Sequence, residues 1–381
     1  MQARHESFGG IIALEKPSML VYIDRDYMAN LGYEPSGLWQ RSTPFLSAPT
    51  EVHLSITNRC PMNCKECYVG AGNELPGELT TPELKRVIDL LSRMKVFHIA
   101  FGGGEPFARE DFLELASYAR EKGIVPNVTT NGFYITEDVA KRCGIFGQIN
   151  VSLDGLDGGY TNSRGFEGFH IADRAIKLLR RYNRNVGINC VVSKNNFDQL
   201  EDIVRYAKRN RVNSILFLRY KPSGRAKNNY SANRLTHKQY KEIYPLLMRL
   251  MKRHWINLQA DCSFVPMVCY HRPSKKVMDF FGLQGCVAGN ILAGVLADGR
   301  FNACSFSPDD GGSVFNLSEE WERSSHLNKY RDWIDSAPEP CRSCDYLYLC
   351  KGGCHIVSDF VESNFYQPDP ECPIVVEYNH D

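Results

Sequence analysis

No stretch of the chain approaches the ~20 consecutive apolar residues that cross a bilayer as a helix, so a segment of that kind is excluded. The opening residues Met1-Gln2-Ala3-Arg4-His5-Glu6 lack the apolar core of a secretory signal. An excess of either charge is missing as well: 45 Lys+Arg stand against 44 Asp+Glu, a formal net charge of +1. Nonspecific binding to a polyanion needs a one-signed surface. The chain is therefore expected in the cytoplasm, with neither a nucleic acid nor a membrane as partner.

Cysteine, by contrast, is plentiful, at 14 residues. In a secreted protein that number would point to disulfides, whereas in a reducing compartment it points to metal ligation or redox chemistry. The 381 residues, 43% of them hydrophobic, exceed the usual size of a single core, so two domains or one elaborated barrel is expected.

Along the chain, residues 1–48 read as an N-terminal extension too small to bury a core alone. Phe8–Leu14 and Leu20–Ile23 flank the turn signal Lys16-Pro17-Ser18 and predict a β-hairpin, with a short helix over Asp24–Leu31 before Gly32. From Glu51 a strand-then-helix alternation begins, the pattern of a parallel sheet covered by helices. Candidate strands are Glu51–Ile56, Val96–Phe101, Val125–Thr129, Gln148–Leu153, Val186–Val192 and Ser214–Arg219. Thr81 as N-cap and Pro82 open a helix whose apolar face is Leu84, Val87, Ile88, Leu90, Leu91 and Met94. Further helices are expected over Ile171–Tyr182 and Thr236–His254, the latter kinked by Pro245. Six such units suit an α/β fold of the partial (β/α)6, TIM-like barrel type over residues 49–258, with the ligand site at the carboxyl ends of the strands.

Directly after the first of these strands stands Cys60-x3-Cys64-x2-Cys67. Three thiolates in one short loop can hold three irons of a [4Fe–4S] cluster and leave the fourth open, whereas a closed structural zinc site wants four ligands. With Gly103-Gly104-Glu105-Pro106 after the second strand, the chain resembles the radical S-adenosylmethionine (SAM) enzymes. The resemblance implies that SAM chelates the open iron, accepts one electron and splits to a 5′-deoxyadenosyl radical that removes a hydrogen atom from substrate. It also implies the SAM contacts. Glu66 takes the place of the family's usual aromatic before the last cysteine, and Gly103, Gly104, Glu105 and Pro106 meet the methionyl amino group. Thr130 and Asn131 lie by the ribose, Ser152 and Arg164 by the methionyl group, where a guanidinium fork suits a carboxylate, and Leu218 lies against adenine.

Past Gln259 the elements shorten and cysteines crowd, and seven of them resemble the SPASM domain of many radical SAM maturases, here residues 259–381. Such loop-rich segments need metal ligation for stability. The resemblance implies two auxiliary [4Fe–4S] clusters, three in all. Cys286, Cys304 and Cys354 would hold the first, with Cys269 as the tentative upstream ligand and Cys262 or an open iron as alternatives. Cys341, Cys344, Cys350 and Cys372 would hold the second. A zinc ribbon around Cys341-x2-Cys344 is the competing reading. Cys143 and Cys190 sit in apolar runs and read as buried free thiols.

The family's function implies modification of a ribosomally made peptide by crosslinking, oxidation or backbone excision. The alternatives are action on a cofactor precursor or other small molecule, and a noncatalytic iron–sulfur electron carrier. Implied partners are the precursor peptide, an electron donor such as flavodoxin or ferredoxin, and a separate small peptide-recognition protein, since residues 1–48 are too few for a winged-helix recognition domain. Ser305, where sulfatase maturases carry an aspartate after the corresponding cysteine, speaks against sulfatase maturation. The catalytic base is left unassigned among Asp309, Asp310, Tyr220 and His271, because a base must come within hydrogen-bond reach of its proton.

Overall fold

The computed structural model describes residues 2–15, 18–274, 276–278, 282–308 and 311–380. The chain opens with three antiparallel strands, β1 (Gln2–Glu6), β2 (Gly9–Glu15) and β3 (Ser18–Asp24), one more than the expected hairpin. The turn residues Lys16 and Pro17 lie outside the described residues. Asp24 caps the following helix Arg25–Asn30 by accepting from the Tyr27 N–H at 2.8 Å. The sheet is fastened to the rest of the molecule by Arg4. Its buried guanidinium pairs with Glu6 at 2.7 Å and donates to the carbonyls of Ala48 and Pro49, so both charge and hydrogen-bond demands are met.

All six expected parallel strands form: β4 (Glu51–Thr57), β5 (His98–Gly103), β6 (Val125–Thr130), β7 (Ile149–Ser152), β8 (Val186–Val192) and β9 (Ser214–Arg219). Each neighbours the next in chain order, as right-handed β–α–β crossovers produce. Three strands absent from the sequence reading extend the sheet. β10 (Asn257–Ala260) adds parallel to β9, β11 (Leu292–Val295) parallel to β4, and β12 (Phe301–Asn302) antiparallel to β11. β10 runs across the expected 258/259 divide, and β11 and β12 bring the cysteine-rich region into the same nine-stranded sheet.

Alternation along the strands decides what faces where. On β4, Val52, Leu54 and Ile56 are fully buried with Leu84, Val87, Ile88 and Leu91 of helix Thr81–Arg93, while Glu51, His53 and Ser55 face the inside of the curved sheet. That helix is capped one residue earlier than expected. Glu83, at the third helical position, accepts from both the backbone N–H (2.8 Å) and the hydroxyl (2.7 Å) of Thr80, so Thr80 rather than Thr81 is the cap. The later helices run Phe169–Tyr182 and His237–His254, and Pro245 lies within the second without ending it. Among the described residues no helix is long and apolar enough to cross a membrane.

One buried polar network ties the barrel to the C-terminal tail. Arg219, at the end of β9 and with a fully buried side chain, meets Asp369 with both terminal nitrogens (2.5 and 2.9 Å) and Glu371 with one (2.7 Å). Glu371 also accepts from the hydroxyls of Tyr230 and Tyr240, and Asp369 from the Cys354 N–H at 3.0 Å.

Candidate functional site

A cavity of about 440 Å³ opens inside the curved sheet, with the Cys60–Cys67 loop at the carboxyl end of β4 on its rim. The loop is held by its backbone. Cys60 N–H donates to the Gly72 carbonyl at 2.8 Å, and Arg225 donates to the carbonyls of Cys64 (2.8 Å) and Ala71 (2.6 Å). Arg225 had no role in the sequence reading, and its place after β9 in Lys221–Arg225 gave no hint of one. Gly224 just before it has a φ of +55°, and a Cβ there would stand 2.4 Å from the Tyr68 carbonyl oxygen.

Three donors point at the three sulfurs. Asn131 Nδ2 lies 3.4 Å from Cys60 Sγ, Arg164 Nη1 3.7 Å from Cys64 Sγ, and the Ala71 N–H 3.4 Å from Cys67 Sγ. Burial pushes Cys60 up to about 11 and raises Cys64, and the donors work against it toward the thiolate form that iron requires, so this residue set fits a cluster ligated by Cys60, Cys64 and Cys67. Among the described residues no three ligating side chains converge tightly enough to grip a single ion. A cubane asks for something else, thiolates set apart around its corners.

Gly103 and Gly104 line the cavity, but their more immediate reason is the cysteine loop behind them. Gly103 has a φ of +109° and its Cβ would stand 2.4 Å from the Thr57 carbonyl oxygen, while that of Gly104 would stand 2.4 Å from the Arg59 carbonyl oxygen. The strand end and the loop lie flush only without side chains. Gly104→Ala is expected to push the loop outward, costing about 1–3 kcal/mol and lowering iron content. Iron analysis beside a denaturation midpoint checks this, and unchanged values for both would refute the steric account.

The remaining expected contacts divide into two sets. Glu66, Thr130, Asn131, Ser152, Arg164 and Leu218 all line the cavity. Glu105 and Pro106 stand behind that lining. Glu105 is fully buried and turned to the neighbouring strand end, where its carboxylate accepts from Thr130 Oγ1 and the Asn131 N–H, each at 2.7 Å. Burial pushes its pKa up to about 7 despite those donors. Its work in this geometry is to position Thr130 and Asn131. Arg164 is held by a residue the sequence reading passed over, Asp154, at 2.7 Å, and keeps one buried nitrogen, Nε, without a partner. Burial likewise pushes Glu66 up to about 7, and Asn233 donates to it.

The C-terminal cysteines sort into two neighbourhoods. Cys286, Cys304 and Cys354 lie within electrostatic reach of one another, and the fourth member is Cys262, which senses Cys286 and Cys354. Cys269 belongs elsewhere: it lines a small cleft with Cys341, Cys344, Cys350 and Cys372. The tentative placing of Cys269 in the first group is thereby corrected. The reason is local. Cys262 comes directly off the end of β10, beside the cavity, whereas the intervening helix Val265–Tyr270 carries Cys269 on toward the tail. All fourteen cysteines are unbridged, and Cys143 and Cys190 are fully buried in the core.

Of the candidate bases, Tyr220 lines the cavity but donates its hydroxyl to the Ala226 carbonyl at 3.0 Å. His271 is off the cavity, hydrogen-bonded to the Lys241 carbonyl at 2.8 Å. Asp309 and Asp310 lie outside the described residues. Ser305 lines the cavity, as does Lys221, whose buried ammonium pairs with Asp261 and sits 4.4 Å from the centre of the Phe306 ring.

Residues 54–243 match the Radical SAM superfamily. The mycofactocin maturase MftC of Mycobacterium tuberculosis (strain CDC 1551 / Oshkosh) is 31% identical over 337 residues, spanning 86% of this chain and 83% of that protein. An AdoMet-dependent heme synthase of Nitratidesulfovibrio vulgaris is 28% identical, over 84% of this chain and 91% of its own length. Among solved structures, Streptococcus suis SuiB bound to S-adenosylmethionine superimposes with a TM-score of 0.76 at 17% identity, covering 97% of this chain and 98% of SuiB. The enzyme anSMEcpe with bound AdoMet follows at 0.66 and 20%, covering 87% and 96%.

Proposed function

Because the chain belongs to the radical SAM superfamily, among its SPASM-bearing peptide maturases, we propose that it modifies a ribosomally synthesised precursor peptide inside the cavity described above. The observation that carries this is the three-cysteine loop on the rim of a cavity able to take a second ligand. Likeness to a maturase over most of the chain supports it.

A [4Fe–4S] cluster with SAM on its open iron supplies, when bound, the radical that takes a hydrogen atom from substrate. The protein's share is to hold and orient. Cys60, Cys64 and Cys67 ligate. Arg164, with its terminal nitrogens at Cys64 and Asp154, keeps its Nε–H and charge for the methionyl carboxylate, and Gly103 and Gly104 leave the backbone open to the methionyl amino group. Thr130 and Asn131 face the ribose, braced by Glu105, and Leu218 gives the adenine an apolar wall, with Ser152 and Glu66 completing the lining.

Two auxiliary clusters complete the set of three, one on Cys262, Cys286, Cys304 and Cys354, the other on Cys341, Cys344, Cys350 and Cys372. Residues 1–48, 49–258 and 259–381 form the extension, barrel and SPASM segments of a cytoplasmic enzyme. A flavodoxin or ferredoxin reduces it, and a separate small protein presents the peptide. Cys262→Ala is expected to lose about four irons per chain, whereas Cys269→Ala keeps its iron. Iron counts on anaerobically purified variants check the assignment, and the reverse pattern would return Cys269 to the first cluster.

The reading is tested by incubating the reduced, reconstituted protein with SAM and candidate precursor peptides, with and without a candidate recognition protein. 5′-Deoxyadenosine release together with a peptide mass change is the expected outcome. Turnover of a porphyrin precursor instead would favour the second reading, which rests on the similarity to the heme synthase.

A further inference from the structure

On the cavity wall away from the cysteine loop, three side chains form a chain that the proposed chemistry has not used. His53 Nδ1 lies 2.7 Å from Ser305 Oγ, and its Nε2 lies 2.9 Å from Glu51 Oε1. All three residues line the cavity. Glu51 and His53 are the first and third residues of β4, whose alternation turns both inward. His53 therefore stands roughly 13 Å down the strand from Thr57, where the cysteine loop begins.

Ser305 reaches them because β11 pairs with β4, setting Gly294 beside His53, and β12 returns alongside. A turn closed by the Ser307 N–H donating to the Cys304 carbonyl at 3.0 Å then carries the serine in. Half-buried exposure of His53 (38%) and Glu51 (33%) is exposure to the cavity they line.

Donor and acceptor roles follow from the chemistry of the groups. An ionised carboxylate only accepts, so Glu51 receives the Nε2–H and leaves Nδ1 as the acceptor for the Ser305 hydroxyl. Burial alone would raise the Glu51 pKa, but the hydrogen bond and charge of His53 outweigh it and hold the carboxyl below its ordinary range. His98, 4.0 Å from the other Glu51 oxygen, adds to the lowering of that carboxyl, while burial lowers the pKa of His98 itself. Asn127, Gln148 and Asn150 line the same cavity without charge, and the cation that meets Phe306, the residue after Ser305, is Lys221, paired with Asp261 and 4.4 Å from the ring centre.

Resting on the maturase reading, we propose that Ser305, His53 and Glu51 form the proton relay of the reaction, accepting the proton of a substrate hydroxyl or thiol. A substrate that loses a hydrogen atom and then closes a bond at an O–H or S–H group must shed one electron and one proton more. The hydrogen atom ends in 5′-deoxyadenosine, and the electron passes to a one-electron acceptor of the iron–sulfur class. The proton passes to Ser305 Oγ as the serine hands its own to His53 Nδ1, and the imidazolium is balanced by Glu51. The relay stands away from the rim, which suits a substrate that reaches past the radical source into the barrel.

The experiment compares wild type with His53→Gly and Ser305→Ala in the anaerobic holoenzyme. Expected are wild-type iron content and precursor affinity, continued 5′-deoxyadenosine release, and a fall of about 10²–10⁴-fold in modified peptide. Added imidazole should restore product in His53→Gly, which a merely structural histidine would not allow. Separately, bound precursor should protect His53 of the wild-type enzyme from carbethoxylation by diethyl pyrocarbonate, read by mass spectrometry. Wild-type coupling of product to 5′-deoxyadenosine in both variants, failure of imidazole rescue, or labelling of His53 unchanged by bound precursor would each overturn the relay alone. No 5′-deoxyadenosine from wild type would overturn the maturase reading, and the relay with it.

Discussion

Alanine at Cys60, Cys64 or Cys67 is expected to abolish 5′-deoxyadenosine release while leaving the protein folded and the auxiliary iron in place. The loss is large because, on the proposed function, these three thiols are the whole protein ligand set of the cluster that does the hard chemistry. Enzymatic accelerations of ~10⁶ or more vanish together with the group that supplies them. The fold survives because the loop is held by its backbone. Arg225 donates to the carbonyls of Cys64 and Ala71, and Cys60 N–H to the Gly72 carbonyl, contacts that substitution at the sulfur leaves alone. Iron content should fall by about four per chain, with an unchanged circular dichroism spectrum. A variant that keeps its loop iron and goes on cleaving SAM would sink the assignment of that loop as the radical source.

Much of this site was legible before any coordinates. Spacing alone set three cysteines in one loop, and strand alternation put that loop at a carboxyl rim. What stayed hidden depended on contacts between distant segments. Cys262 and Cys269 differ by seven positions, and only the end of β10 and the helix after it decide which neighbourhood each enters. β11 and β12, of four and two residues, carry too little pattern to be seen, yet they bring Ser305 to the cavity. Glu105 was assigned to the ligand because its motif is, but it is fully buried and its carboxylate accepts three hydrogen bonds from its own scaffold.

One signal was available and missed. Glu51, His53 and Ser55 alternate with Val52, Leu54 and Ile56, which marks an inward polar face on the very strand that feeds the cysteine loop. A buried polar face at that position is costly unless something binds there. The same reasoning would have flagged β6–β8, whose inward residues Asn127, Asn150 and Asn189 also line the cavity.

Arg219→Met should destabilise the protein by about 3–5 kcal/mol, more than any surface ion pair could account for. The arginine side chain is fully buried, and removing it takes from the buried Asp369 carboxylate its cationic partner and leaves Glu371 with Arg234, at 3.1 Å, and two tyrosine hydroxyls. The damage should spread toward iron. Asp369 holds the Cys354 N–H at 3.0 Å, and Glu371 precedes Cys372, so one member of each C-terminal cysteine group leans on this network. Arg219→Lys keeps the charge but not the fork that reaches both carboxylates, and an intermediate loss is expected. The exposed pair Arg41–Glu322, with side chains 54% and 49% accessible, is the contrast, and breaking it should cost no more than about 1 kcal/mol. Denaturation midpoints and iron counts for the three variants, measured anaerobically, decide the matter. If Arg219→Met unfolds no more easily than the Arg41 variant, the network is a bystander and the tail must be fastened to the barrel by its clusters alone.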